Sequence, residues 1–97
     1  MFYFEKAPDE VVTGVGIDFS NWLKDGESIT SNDVQDVSGL PPIVSSANNT
    51  STVSTCTLAG GRPGEYREIV FTIGTNYGNT YQERIKVKIL DVSIIST

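Results

Sequence analysis

The stretch that most constrains this chain runs from Leu58 to Ile89. In its last ten residues, Tyr81, Ile85, Val87 and Ile89 fall on one face of an extended chain and Gln82, Arg84, Lys86 and Lys88 on the other. Glu83 alone interrupts the apolar row. A period of two over this length is a half-buried strand and excludes a helix. Before it, Arg67 to Thr75 places Ile69, Phe71 and Ile73 on one face, and Asn76-Tyr-Gly-Asn79 is the turn joining the two arms of a hairpin. The segment Leu58-Ala-Gly-Gly-Arg-Pro-Gly-Glu-Tyr66 reads as a glycine-rich corner that leads into it. Tyr66 is out of phase with Ile69. Either a bulge separates Glu65 from Glu68, or Tyr66 belongs to the corner and its hydroxyl bonds back to the loop, as in the tyrosine corner of sandwich domains; the second is expected.

The rest of the chain repeats this strand-and-turn pattern. Val11, Thr13, Val15, Ile17 and Phe19 alternate with Val12, Gly14, Gly16 and Asp18, and the two glycines predict a bulge or a close backbone approach. Asp18 or Ser20 can then cap a single helical turn, with Trp22 and Leu23 plugging the end of a sandwich. After a turn at Asp25-Gly26, Ser28 to Val37 is a weaker strand. Ile29 and Val34 share a face there only if a bulge lies near Asn32 or Asp33. Ile43 to Ala47 is a short strand, Asn48 to Thr50 a turn, and Thr52 to Leu58 a polar strand. Turn signals about every ten residues, without a sustained 3.6-residue period, predict an all-β chain: a single immunoglobulin-like antiparallel β-sandwich of about seven strands. A small, partly open barrel is the alternative. The sandwich is expected over residues 7–90, between an N-terminal segment, 1–6, and an apolar C-terminal tail, 91–97.

Composition removes whole classes of function. The chain has 97 residues, room for one modest core, and no histidine, so the commonest general base and metal ligand are both missing. Nucleophile systems of the Ser-His-Asp or Cys-His kind are excluded. Gly60-Gly-Arg-Pro-Gly64 lacks the Gly-Lys-Ser/Thr ending of a phosphate cradle and reads as a turn. Asp25 with Glu27, or Asp33 with Asp36, do not form the spaced oxygen loop of a calcium site. No catalytic residue, cofactor or metal is therefore expected. A net charge of −5 opposes binding to nucleic acid. Cys56, the single cysteine, cannot form an internal disulfide and is expected as a buried small hydrophobe. Met1 to Lys6 lacks the features of a signal peptide, and no run is long and apolar enough to span a membrane, so residence in a cytoplasm before use is expected.

The ends of the chain carry the strongest hints of a partner. Phe2, Tyr3 and Phe4 form either an edge strand folded onto the chain's own sandwich or an arm that docks on a neighbour. Ile94 and Ile95, in the tail, are too apolar for solvated residues. With Tyr77 in the hairpin turn, these are the candidate protein-interface residues, while Trp22 and Tyr66 are assigned structural roles. A building block whose partner is protein follows.

With these motifs in place, a resemblance can be stated. Ala7-Pro-Asp-Glu-Val11, Ile17-Asp-Phe-Ser-Asn-Trp-Leu23, Asp25-Gly-Glu-Ser-Ile29, Gly39-Leu40, Leu58-Ala-Gly-Gly61, Gly64-Glu-Tyr66 and the closing hairpin are similar to the immunoglobulin-like fibre-tail adaptor proteins of tailed bacteriophages. Where that family usually has Trp in its third strand this chain has Val34, and its hairpin turn is not basic. The resemblance implies a non-enzymatic virion structural protein of the tail or head-tail neck. It would be present in several copies, as a homo-oligomeric ring, and would link tail, neck or portal proteins to fibres or spikes. A capsid decoration protein, or a carbohydrate-binding sandwich using Tyr77 and Tyr81, are the alternatives.

Overall fold

A computed structural model describes residues 2–91, with Phe2 described in its backbone alone. Seven strands are present: β1 (Phe2–Lys6), β2 (Val11–Asp18), β3 (Ile29–Asp36), β4 (Val44–Asn49), β5 (Val53–Ala59), β6 (Tyr66–Thr75) and β7 (Thr80–Ile89). They form two sheets, β1-β7-β6-β3 and β2-β5-β4. All pairings are antiparallel except β1 with β7, which is parallel. The arrangement is that of an immunoglobulin-like sandwich, with β2-β5-β4 matching its B-E-D strands and β7-β6-β3 its G-F-C strands. One strand departs from the constant-type order: β1 lies along β7, not beside β2.

Ile17, Phe19, Ile29, Ile43, Cys56, Leu58, Ile69, Phe71, Ile73, Ile85, Val87 and Ile89 fill the space between the sheets. The expected β6–β7 hairpin is present and pairs Ile69 with Ile85 and Ile73 with Tyr81. Cys56 is buried as expected, and burial pushes its thiol pKa up to about 11, which keeps it protonated and unreactive.

In β2 both signals of the glycines are present. The register slips between Val12 and Val15, where Gly14 takes a φ of 73°, and a Cβ on Gly16 would collide with the Ser54 carbonyl oxygen. The extra residue reverses the phase upstream of it. Val12, opposite Leu58, therefore turns inward, and Val11, expected on the apolar face, is exposed.

Four other expectations are corrected. The bulge in β3 lies at Thr30, between the Ile29 and Ser31 pairings, and not at Asn32 or Asp33. Asn32 is needed inside the sandwich, where it accepts a hydrogen bond from the Ser54 hydroxyl and donates to the Asn48 carbonyl at 3.0 Å. Asn48 and Asn49 belong to β4, and the turn follows them, with Thr50 Oγ1 accepting the N–H groups of Thr52 and Val53. Residues 2–6 are an edge strand of the chain's own sandwich, so the sandwich begins before residue 7. Lys6 fixes this strand: its fully buried ammonium donates to the carbonyls of Ala7 at 2.8 Å and Gly60 at 2.7 Å. Burial lowers its pKa against the opposing pull of Glu10 and Asp9.

The fourth correction concerns Tyr66, which makes no tyrosine corner. It is half exposed on the outer face of β6, beneath the ammonium groups of Lys86 and Lys88, 5.2 and 5.7 Å from its ring centre. No bulge is needed, because Arg67 takes the inward position two residues before Ile69. Its guanidinium, 3% exposed, bonds Asp36 at 2.7 Å, Glu65 at 2.8 Å and the Pro41 carbonyl at 2.7 Å. Burial alone would raise the pKa of Asp36, but hydrogen bonds from Ser38, Arg67 and Ile43 outweigh it and hold the carboxyl below its usual range. Arg67→Met strands a buried carboxylate and is expected to cost about 3–5 kcal/mol in urea denaturation, whereas Tyr66→Ala should cost less than about 1 kcal/mol.

Candidate functional site at the loop end of the sandwich

Two connections meet at one end of the molecule: residues 19–28, between β2 and β3, and the β6–β7 turn, residues 76–79. The first begins with the predicted single turn. Asp18 accepts the Ser20 N–H at 2.9 Å, and Trp22 and Leu23 donate their N–H groups back to the Phe19 carbonyl. This sets Trp22 edge-on to Phe19, at 5.3 Å between ring centres, and to Tyr81, at 6.0 Å. Trp22 covers the end of the core but is 46% exposed, so it does not fill the core in the manner expected of it.

The two loops are tied together by a carboxylate that forms no ion pair among the described residues. Glu27, 6% exposed, accepts hydrogen bonds from the Lys24 N–H at 2.9 Å, the Thr75 hydroxyl at 2.7 Å, the Asn79 amide at 2.8 Å and the Tyr81 hydroxyl at 3.3 Å. The Lys24 N–H and the Thr75 hydroxyl lead in holding its pKa down to about 2. Asn76 adds a second tie, accepting the Ser28 N–H at 2.8 Å and donating to the Gly26 carbonyl at 3.1 Å. Tyr77 makes a third, its hydroxyl donating to the Asp25 carbonyl and lying so close over Gly26 that an added Cβ there would strike the hydroxyl oxygen.

Two aromatic side chains are thus presented to solvent from a braced end face: Trp22 and Tyr77, the latter 50% exposed. Exposed aromatics held in one conformation lose little entropy when a partner covers them, which is the character of binding hot spots. The buried carboxylate of this face is saturated by donors, which hold it ionised. Among the described residues no group of three His, Cys, Asp or Glu side chains could hold a metal ion.

Only part of the expected interface set gathers here. Tyr77 lies on this face and Trp22 joins it. Tyr3, 57% exposed, and Phe4, half buried against the core, lie on β1, away from the loop end, and the side chain of Phe2 is not described. Ile94, Ile95 and the rest of the tail lie outside the described residues. Tyr66 sits near the opposite end, at the start of β6. Tyr81, counted among exposed aromatics, is half buried with its hydroxyl turned to Glu27, so the pair Tyr77 and Tyr81 forms no stacking platform. The brace of Glu27, Asn76 and Asn79 escaped the sequence reading because Glu27 is 48 residues from Thr75 and 52 from Asn79. Only the polar turn flanking an apolar strand hinted at it.

The lowered pKa of Glu27 sets a pH dependence. Glu27 is ionised in both folded and unfolded chains above its ordinary value of 4.5, and its contribution to stability is complete there. It is lost as pH falls from 4.5 through about 2. Asp36 and Glu65, both also lowered, act in the same direction. The thermal midpoint should therefore hold steady down to about pH 5 and drop steeply below it. Glu27→Gln should start lower at pH 7 and fall less steeply, as read by circular dichroism melts.

No curated protein matches the chain. A family model, described as podophage GP4 fiber-tail adaptor protein gp77, matches residues 6–88, from the buried lysine that pins β1 to the end of β7, the second strand of the closing hairpin. The match takes in both sheets and the braced aromatic face, and this chain belongs to that fibre-tail adaptor family.

Proposed function

We propose that this protein is a non-catalytic adaptor of the phage virion, carried in several copies in the tail or head-tail neck, through which fibres or spikes attach. Its partners in this reading are other virion proteins: tail, neck or portal components on one side and fibre proteins on the other. Before assembly it resides in the host cytoplasm. The observation that carries the reading is the braced face bearing Trp22 and Tyr77, in a chain of the fibre-tail adaptor family. In sandwich domains the loops at one end are where recognition sits, since they vary without disturbing the sheets. A rigid aromatic pair on such loops suits a stable protein contact, and a net charge of −5 argues against nucleic acid.

The test is a Trp22→Ala, Tyr77→Ala double variant. Both residues are half exposed, so it should stay folded, with about 1–3 kcal/mol lost. Binding to purified fibre or tail protein, measured by calorimetry, should weaken by at least ~30-fold, and complementation of a gene-deleted phage should give particles lacking fibres. Particles with a normal complement of fibres would overturn the assignment of this face.

A further inference from the structure

The outer face of the β1-β7-β6-β3 sheet points away from the core, and strand pairing sets two rows across it. One row runs Tyr3, Lys86, Glu68, with Val37 beyond, its N–H donating to the Glu68 carbonyl at 2.9 Å. The other runs Glu5, Lys88, Tyr66. Tyr3, Tyr66 and Val37 are each about half exposed. Four strands at ~4.8 Å spacing spread these side chains over ~14 Å of open sheet, a setting for a protein surface, whereas small ligands are enclosed.

The charges between them are not paired as their positions allow. Glu68 stands directly opposite Lys86, yet its carboxylate bonds Arg84 at 3.0 Å. Glu5 stands opposite Lys88, and no ion pair joins the two. Both ammonium groups gather instead over one ring, 5.2 and 5.7 Å from the centre of Tyr66. Like charges brought this close repel, and an anion set between them relieves the repulsion. The placing of the other cations agrees. Of seven basic side chains in a chain of net charge −5, Lys6 and Arg67 are buried, and Lys24 and Arg62 lie in loops. Arg84, Lys86 and Lys88 hold successive outward positions of β7, where an acidic partner meets the least repulsion.

We infer that this outer face is a second docking surface, on which Lys86 and Lys88 receive a carboxylate of an acidic virion protein while Tyr3, Tyr66 and Val37 pack around it. That the partner belongs to the virion rests on the proposed function. A protein carboxylate fits better than nucleic acid. Holding a duplex takes many cations along a charge every ~1.7 Å, and three beside Glu5 and Glu68 are too few. A second copy stacked face to face would bring only the charges of the same face, with Glu68 and Asp33 already engaged by Arg84 and Gln35. Tyr66 and Thr75 are the first and last residues of β6, so the lysine pair lies ~30 Å from the Glu27 brace, far enough for two partners to be held at once.

A water-soluble carbodiimide joins an amine to a carboxylate in contact with it, as an amide with loss of water. Intact wild-type particles treated with it should yield Lys86 or Lys88 linked to an Asp or Glu of another virion protein, read by peptide mass spectrometry. The linked protein, once purified, should bind full-length Lys86→Gln, Lys88→Gln at least ~10-fold more weakly than wild type in calorimetry at low salt, and the difference should shrink as salt rises. The thermal midpoint should not change, and Lys86→Arg, Lys88→Arg should keep the binding. The inference is overturned if the lysines are linked only within their own chain, only to a second copy, or not at all. It is also overturned if the Gln variant binds like wild type, or if wild type holds a random-sequence DNA duplex that the Gln variant releases. Particles from which the chain is absent overturn the proposed function as well, whereas a linkage to another virion protein stands whatever Trp22 and Tyr77 bind.

Discussion

The inward row of β6 holds this protein together. Arg67, Ile69, Phe71, Ile73 and Thr75 all face the opposing sheet, and the three in the middle are wholly excluded from solvent. The polar residues at the ends each seize a loop. Arg67 gathers Asp36, Glu65 and the Pro41 carbonyl at one end, and Thr75 delivers its hydroxyl to Glu27 at the other. A slip of one residue would turn Tyr66, Glu68 and Thr72 inward and break both clusters, so the row also fixes the register of its neighbours. In a chain with one cysteine, these clusters fasten the loops at both ends to β6 without a covalent link. Among the described residues no buried side-chain nitrogen or oxygen lacks a partner, which is what makes so many polar groups tolerable in so small a core.

The same economy shapes the two ends and the two edges. At the loop end, one buried carboxylate accepting four kinds of donor turns two flexible connections into a single braced surface. Trp22 and Tyr77 can then stand exposed without losing their positions. At the edges, Asn32 seals one seam, while beside β2 the other is apolar and unpaired among the described residues. Free edges are usually blunted, since they invite pairing with other chains. An unblunted edge is intelligible in a protein of the fibre-tail adaptor family, for which the reading proposed above makes meeting other chains the purpose.

Much of the strand order was legible because alternation and turn chemistry are local. The arms of the β6–β7 hairpin, the turn at residues 76–79, the close approach at Gly16 and the capped turn before Trp22 each depend on residues adjacent in the chain. The failures are equally instructive. Tyr66 was assigned a corner because its phase seemed wrong, when the residue in phase was a charged one, and an inward arginine is not anticipated by an apolar template. The bulge of β3 was placed two residues late because the inward role of Asn32 is set by Ser54 and Asn48, 22 and 16 residues away. The capped turn after β2 puts Trp22 over the end of the core as its position implies, but how much of an aromatic ring is covered there depends on loops distant in sequence.

By itself, the sequence determined that this chain is an all-β sandwich and that it carries no histidine, since composition and a period of two are properties of the chain before it folds. Its ordered motifs also pointed to the family that the match over residues 6–88 establishes. Only the tertiary structure decided that β1 joins β7 and does not lie beside β2, and that Glu27 braces the loop end. The physical reason is that each outcome rests on contacts between residues tens of positions apart. Hydrogen-bond geometry and burial select those partners, and no local pattern encodes them.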